Sequence, residues 1–358
     1  MAIREETRML LESMGRLFED LCTKQVVDAA ETGVFAADLW RAVSETGVPL
    51  AALPESAGGA DAEWADLYAA LRVAGRYSAP IPLAETMLAG WIASSAGLEI
   101  GDGPMTVGPV RASDKLVLTR DGNFWRLNGT ASRLPYASNA ERIVLIVDGP
   151  DGEMAVSLEG STAPTPAKGK NIANESRDTL VFDNFQVPAA AALPKNVSRA
   201  ALYRRGALAR ATMMSGALER AMDLAVTYAQ ERVQFGRPIS KFQAVQQNLA
   251  VLSEQTAVAV AAANLGMQSL SQGDEEREEF QIAIAKTRVG EAATLACELA
   301  HQVHGAIGFT KEYSLQLATR RLWAWREEFG SDPEWAAKVG TYFCGKGADN
   351  LWPILTGD

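Results

Sequence analysis

Cysteine is scarce in this chain and forms no pattern: Cys22, Cys297 and Cys344 are far apart and lack CxxC spacing. An odd, scattered set supports neither a disulfide framework nor a zinc site, and it fits a reducing cytoplasm. Histidine is scarcer still. His301 and His304 are three apart and share a helix face, but with no third ligand and no HExxH partner they predict no metal centre. Basic runs are missing as well. The chain has 34 Lys and Arg against 44 Asp and Glu, a net charge of -10, and no Lys/Arg stretch that could track a phosphate backbone. Nucleic acid is therefore not an expected partner, although local arginines and helix N-termini can still bind a phosphate in an acidic protein. Long apolar runs are also absent. The opening "MAIREETRMLLESMGRLF" is interrupted by Glu5, Glu6 and Glu12, so it lacks the apolar centre of a secretory signal. The most apolar later stretch, "AVAVAAANLGM", is too short and alanine-rich to span a bilayer, and no membrane insertion is expected.

What is present is enough apolar material for a large core. At 358 residues and 47% hydrophobic content, two or three domains are expected. From 1 to 103 the pattern is helical: Leu10, Leu11, Met14, Leu17, Phe18 and Leu21 recur at three and four, with turn signals at "VPLAALPESAGGAD" and "RYSAPIPLAET". From 104 to 190 short β-branched runs alternate with glycine and asparagine turns. "KLVLTRDGNFWRLNGTASRL" predicts two strands joined at Asp121-Gly122 with a further turn at Asn128-Gly129, and "ERIVLIVDGPDGEMAVSLE" and "RDTLVFDNFQVPA" continue a small β domain, sandwich or barrel-like. From 191 to 358 helices resume.

Three helical segments in that last part keep a narrow, regular seam. It runs through Ala211, Met214, Leu218, Ala221, Ala225 and Tyr228; then Val245, Leu249, Leu252, Thr256, Ala259 and Ala263; then Ile282, Ala285, Val289, Ala292, Ala296, Leu299 and Val303. With a fourth helix near Glu334 to Phe343, this predicts an antiparallel four-helix bundle. The fold class is α+β: helical domain, β domain, helical bundle. The small alanines in the seam also suit a subunit interface.

Two stretches could carry chemistry. "ERVQFGRPISKFQ" (231–243) breaks the first bundle helix from the second: Pro238 ends helical geometry, Gly236 permits positive φ, and Arg232 stands in the last helical turn. Taken alone it reads either as an ordinary helix turn with an arginine favouring the macrodipole, or as an arginine for a phosphate with Phe235 and Phe242 flanking a ring system. "HQVHGAIGFT" (301–310) ends the third bundle helix, and its glycines Gly305 and Gly308 are either a plain C-cap or bared backbone for a ligand. Trp323, Trp325 and Trp335 read as packing, and "KGADNLWPIL" as a tail on the bundle.

In order and spacing, "LPESAGGA", "LNGTASRLPYASNAERIVLIV", "LVFDNFQVPA", "ALERAMDLAVTYAQERVQFGRPISKFQAVQQNLA" and "HQVHGAIGFT" resemble the acyl-CoA dehydrogenases over nearly the whole chain. The resemblance implies FAD as cofactor, an acyl-CoA substrate oxidised at its Cα–Cβ bond, and an electron-transfer acceptor. It implies that Arg232, Gln234 and Phe235 form the FAD-contacting RxQFG element, with Arg232 on the pyrophosphate. Phe242 and Gln243 match the FQ pair beyond it, and Gln302 and Gly305 the QxxGG element that holds the adenosine end. In that family these elements reach FAD seated in a neighbouring subunit.

The rest of the pattern departs from the family. A TEPxxGSD-like loop is missing from "PMTVGPVRASDKLVL", and the WIT-like element reads Arg133-Leu134-Pro135, where Pro135 offers neither N–H nor hydroxyl to a flavin. Aligning Gly330-Ser331 with the family's Gly-Thr pair puts Phe329 at the base position. Glu328 is one residue early and remains the candidate catalytic base; the alternative base position falls on Gly206. Glu327 and Glu328 otherwise read as a solvated pair beside Arg326. The expectation is a subunit of a heteromeric acyl-CoA dehydrogenase acting on a bulky, steroid side-chain type of thioester, its homologous partner carrying the flavin seat and base. A self-sufficient homotetramer using Glu328 and a non-catalytic scaffold are the alternatives.

Overall fold

The computed structural model describes residues 4–356, so Met1 to Ile3 of the opening stretch lie outside it. Five helices come first: α1 (Glu5–Leu21), α2 (Lys24–Thr32), α3 (Ala37–Glu45), α4 (Trp64–Arg76) and α5 (Leu83–Ser95). On α1 the three-and-four spacing buries Met14 and Phe18 completely, while Leu21, at the fraying end, is 40% exposed. Thr23 caps α2 through Val26 N–H, and Gly33 closes it in the left-handed conformation. α5 is buried from Leu83 to Ala93, so it shows no polar face. It lies against the following sheet, where Thr86 Oγ1 accepts from Met105 N at 3.0 Å.

The strands are β1 (Met105–Gly108), β2 (Leu116–Asp121), β3 (Phe124–Pro135), β4 (Arg142–Gly149), β5 (Gly152–Glu159), β6 (Arg177–Val187) and β7 (Ala190–Ala192). They form one mixed sheet in the order β6-β3-β2-β4-β5-β7, with β1 also pairing β4 in parallel. The hairpin expected at Asp121-Gly122 joins β2 to β3. The turn expected at Asn128-Gly129 is not one: both residues lie inside β3, where the pairing with β6 shifts register. Gly129 has φ 126° and its α-carbon lies so close to the Lys115 carbonyl that a Cβ would overlap it. Here the Asn-Gly pair makes a bulge, which uses the same conformational freedom as a turn.

The C-terminal part holds α6 (Arg199–Glu231), a two-residue-per-strand hairpin of β8 (Val233–Gln234) and β9 (Arg237–Pro238), α7 (Gln243–Ser269), α8 (Glu275–His304), α9 (Leu315–Trp325), α10 (Asp332–Lys346) and α11 (Leu351–Thr356). Ser198 caps α6 and Asp274 caps α8, whose first turn carries Glu275, Glu276 and Glu278. The alanine-rich seam is the bundle core: Ala211, Met214, Ala225, Leu252, Ala259, Ala285 and Ala292 are fully buried. α7 is longer than its apolar stretch suggested, and by length and composition it could cross a membrane; in the fold one face packs in the bundle and the other exposes Val251 and Val258. The tail expected to pack on the bundle is largely exposed, with Leu351 at 41% and Trp352 at 71%.

The N-terminal helices are locked to the bundle where α4 crosses α6. A Cβ on Gly216 would overlap the carbonyl oxygen of Arg72, and one on Gly75 that of Met213, so two helix backbones touch only because both positions are glycine. Gly216→Ala is therefore expected to lower unfolding stability by about 1–3 kcal/mol, the range for overpacking a tight contact. Urea unfolding measures it, and a variant as stable as the parent would show that the helices can separate at no cost.

Candidate functional site

The first group of expected site residues gathers at one end of the bundle. α6 stops at Glu231, so Arg232 is its C-cap and not part of its last turn; its N–H bonds to Tyr228 O at 2.9 Å and its side chain points to solvent. Phe235 and Gly236 form the hairpin tip with φ 51° and 78°. Phe235 is 92% exposed. It does not stand apart from Phe242: the two rings meet edge to face at 6.0 Å, with the Arg237 guanidinium 4.4 Å from the Phe242 ring centre. Gln234 and Gln243 are exposed beside them.

The end of α8 comes to the same place because Tyr228 stacks on His304 at 4.7 Å. Gln302 is exposed on the last turn of α8, and Gly305 follows as its cap with φ 64° and no atom near the position of a Cβ. Phe309, 72% exposed, stacks on His301 at 4.2 Å. The histidines have structural tasks: His301 Nε2 meets Thr319 Oγ1 at 3.0 Å and His304 Nδ1 meets Ala300 O at 2.7 Å. Burial lowers the pKa of both, so they favour the neutral form. Among the described residues no group of three or more His, Cys, Asp or Glu could hold a metal.

The second group lines a cleft of about 770 Å³ between the sheet and the α9–α10 turn, whose wall includes Arg111, Arg133, Pro135, Tyr203, Trp323 and Phe329. β3 is irregular here. Its pairing shifts between Ala131 and Leu134, and Arg133 takes φ 58°. Pro135 O accepts a hydrogen bond from Thr106 Oγ1 at 2.5 Å. Phe329, also at positive φ (54°), is buried. Its ring lies against Gly206, where a Cβ would overlap it, and meets Tyr203 edge to face at 6.0 Å. The two positions at which a base was sought thus face each other, and a phenyl ring fills the space between them. Trp325 and Trp335 are buried, while Trp323, 40% exposed, lies on the cleft wall.

Glu328 is not solvated. Arg177 Nε donates to its Oε1 at 2.7 Å and Arg177 Nη2 to its Oε2 at 3.1 Å, while Arg210 Nε donates to Oε2 at 2.6 Å. Only 13% of its side chain is exposed. Arg210 Nη2 also donates to Glu85 at 2.5 Å, and Arg177 Nη2 to Glu175 at 3.0 Å. Asn171 and Trp325 add hydrogen bonds to Glu175 at 2.8 and 2.9 Å. Burial alone would push the Glu328 carboxyl up, but Arg177 and Arg210 outweigh it and hold the pKa at about 2. Glu327 alone keeps the exposed role expected of the pair, 3.8 Å from Arg326. Lys286 fixes the turn from below, its Nζ donating to Trp325 O at 3.0 Å and Arg326 O at 2.7 Å.

Sequence reading missed Glu85, Arg177 and Arg210. The available signal was a single charge inside an apolar helical run, Glu85 in "PLAETMLAGWI" and Arg210 in "GALARATMMSGAL". A long charged residue in such a run is buried only when paired.

Residues 4–99 match the family model for the acyl-CoA dehydrogenase N-terminal domain, and residues 197–332 that for the acyl-CoA dehydrogenase C-terminal domain. Among curated proteins the chain is similar to acyl-CoA dehydrogenase IpdE2 of Mycolicibacterium smegmatis, 28% identical over 88% of this chain and 92% of that protein. It is also similar to acyl-CoA dehydrogenase FadE27 of Mycobacterium tuberculosis, 26% identical over 78% and 80%. Among solved structures, the Tcur3481-Tcur3483 steroid ACAD superposes with a TM-score of 0.84 at 25% identity, covering 94% of this chain and 97% of that one. The ChsE4-ChsE5 complex from Mycobacterium tuberculosis shares the fold, with a TM-score of 0.84 at 21% identity over 95% and 97%.

A carboxylate held at low pKa in the fold contributes stability above its unfolded value, near 4.5, and loses it as pH falls through the folded value, about 2 for Glu328. Glu328→Gln leaves two buried guanidiniums short of a counter-charge and is expected to cost about 3–5 kcal/mol at pH 7. That deficit should narrow as pH falls below 4.5, where the carboxylate of the unfolded parent takes up a proton while the folded one, at about 2, is still charged. Urea midpoints at pH 7, 4 and 3 measure both effects; a deficit that does not depend on pH would falsify the ionic role.

Proposed function

The chain belongs to the acyl-CoA dehydrogenase family, and from that premise we propose that it acts as the non-catalytic, flavin-gripping subunit of a heteromeric acyl-CoA dehydrogenase. The observation that carries this reading is the pairing of Phe329 with Gly206 at the base positions, next to a Glu328 clamped by two arginines. A general base for the α-proton must have a free oxygen facing the substrate and a pKa near the working pH. Glu328 has both oxygens engaged and a pKa of about 2, which argues against the self-sufficient alternative.

FAD, when bound, supplies the hydride acceptor for oxidation of the acyl Cα–Cβ bond. This chain's own cleft does not fit a flavin ring. Pro135 has no N–H to donate, its carbonyl is committed to Thr106, and the irregular strand before it puts the charged Arg133 on the cleft wall. The bundle end does fit the rest of the cofactor. The Arg232 side chain is exposed, with no partner among the described residues, and can form charge-assisted bonds to a diphosphate. Phe235 and Phe242 offer apolar edges, and Gln234, Gln243, Gln302 and the bare backbone at Gly305 offer polar contacts for an adenosine. Because these residues face outward, the cofactor they hold is seated in a neighbouring subunit, and a homologous partner supplies the ring seat and the base.

A bulky thioester of the steroid side-chain type is the substrate class we favour, since the solved steroid ACAD named from two proteins, Tcur3481 and Tcur3483, resembles this chain over its length. Electrons then leave through an electron-transfer acceptor.

Purifying the chain alone and co-expressed with a homologous subunit tests the reading. Flavin absorbance and dehydrogenation of a steroid side-chain CoA ester are expected only in the complex; a yellow, active solo protein overturns the proposal, and a complex without flavin leaves the scaffold alternative. In the complex, Arg232→Ala should weaken flavin retention about tenfold or more, since a hydrogen bond to a charged group contributes about 1.5–3 kcal/mol. Circular dichroism should remain unchanged, because the Arg232 side chain is exposed. Undiminished flavin would remove Arg232 from the site.

A further inference from the structure

α7 is unlike the other long helices of the bundle in what it shows to solvent. Glu254 is the only charged residue among its 27, whereas α8 beside it turns Glu291 and Glu298 outward. The exposed positions along α7 include Ala250, Val251, Glu254, Ala257, Val258 and Ala261. At about 3.6 residues per turn these fall on one stripe, with Glu254 at its centre and near the middle of the helix. Val251 is 36% and Val258 40% exposed. The alanines of this stripe are a different set from Ala259 and Ala263, which the bundle core buries.

The solvent side of a helix is ordinarily polar and charged, so a smooth stripe of alanine and valine is the composition of a surface that another element covers. Its place in the fold says which element. α7 begins at Gln243, directly after the hairpin, and its N-cap Phe242 carries the ring that meets Phe235. A neighbour whose cofactor is held at that end lies along the start of α7. The single charge says which neighbour. The Glu254 carboxylate has no hydrogen-bond or ion-pair partner among the described residues. In a two-fold pairing of identical chains across this stripe, the residue at the centre meets its own copy, so two carboxylates would be brought face to face. Opposite a Lys or Arg, the same carboxylate gains a counter-charge and fixes the register. A lipid surface fits less well, because α7 has no Lys or Arg and its one charge is acidic.

We propose that the outer stripe of α7 is the seat of the homologous partner subunit, and that Glu254 selects a partner with a Lys or Arg opposite it over a second copy of this chain. The inference rests on the heteromeric reading and names the residue in this chain that discriminates between the two neighbours. The alanines and valines offer the same apolar contact to either one. Discrimination therefore lies in the charge, which repels the identical chain and attracts the unlike one.

Sedimentation velocity of the full chain, alone and co-expressed with the homologous subunit, tests the stripe. Alone, Glu254→Leu is expected to self-associate about tenfold or more tightly than the parent, because a like-charge contact at the two-fold is removed. Adding Ala257→Arg to Glu254→Leu should cancel that gain, which places it on α7. In the complex, Glu254→Lys should weaken assembly about tenfold or more by setting like charges against each other. Both side chains are exposed, so the variants are expected to melt with the parent. Self-association of the parent as tight as that of Glu254→Leu, a gain that survives Ala257→Arg, or flotation of the parent with phosphatidylcholine and phosphatidylglycerol vesicles would each overturn the proposal. A flavin-containing complex indifferent to Glu254→Lys sinks this inference alone, whereas absence of any complex sinks the heteromeric reading and this inference with it.

Discussion

The carboxylate of Glu328, held between Arg177 and Arg210, is the contact on which the arrangement of the whole chain turns. Each partner comes from a different part of the fold: Arg177 opens β6, Arg210 lies mid-way along α6, Glu328 sits in the α9–α10 turn, and Glu85, on the far side of Arg210, starts α5. Taking such charges from water is expensive, and the cost is met only when nearly every oxygen and N–H finds a partner at good geometry. Here it is met around Glu328 and Glu175, so any displacement of one element strands charge on another. The network therefore behaves as a positional constraint more than as a source of net stability.

That constraint also decides the chemistry. The positions where the family's base was sought lie within a few atoms of the network, and a glutamate at 329 would have to share this space with Glu328 and Arg210. Instead Phe329 takes a left-handed backbone conformation and packs on Gly206, while Trp335 Nε1 bonds its carbonyl at 2.8 Å. A non-glycine residue at positive φ persists only when its surroundings over-determine it. The turn is over-determined: Lys286 holds the two carbonyls before it, Arg326 pairs with Asp332 after it, and Glu328 is fixed in the middle. Acid–base catalysis needs a group that can change its protonation state, and everything here opposes such a change.

How much of this was legible in the sequence depends on whether a residue's partner is local. The helical seam was readable because three-and-four spacing determines which side chains share a face, and Ala211, Leu252 and Ala285 are buried as that rule requires. The hairpin at Asp121-Gly122 was readable for the same reason. Asn128-Gly129 was not, since a turn and a bulge ask the same of an Asn-Gly pair and only the pairing of β3 with β6 distinguishes them. Glu328 was misread as solvated because Arg177 and Arg210 lie 151 and 118 residues away along the chain. Short-range patterns carry no information on such partners.

The residues at the bundle end and those around Glu328 share helices α6 and α8, but among the described residues no side-chain hydrogen bond or ion pair joins the two sets. The proposed grip at the bundle end rests on the hairpin from Val233 to Pro238 and on the stacking of Tyr228, His304 and Tyr313. None of these touches Glu328, Phe329 or Pro135. Arg232 can thus keep its exposed position however the cleft is filled, because its orientation is set by the cap of α6 and by the bond from Ile239 N to its own carbonyl at 2.8 Å. In the proposed role, a subunit built this way keeps its outward-facing residues in place when its own base position becomes a phenyl ring.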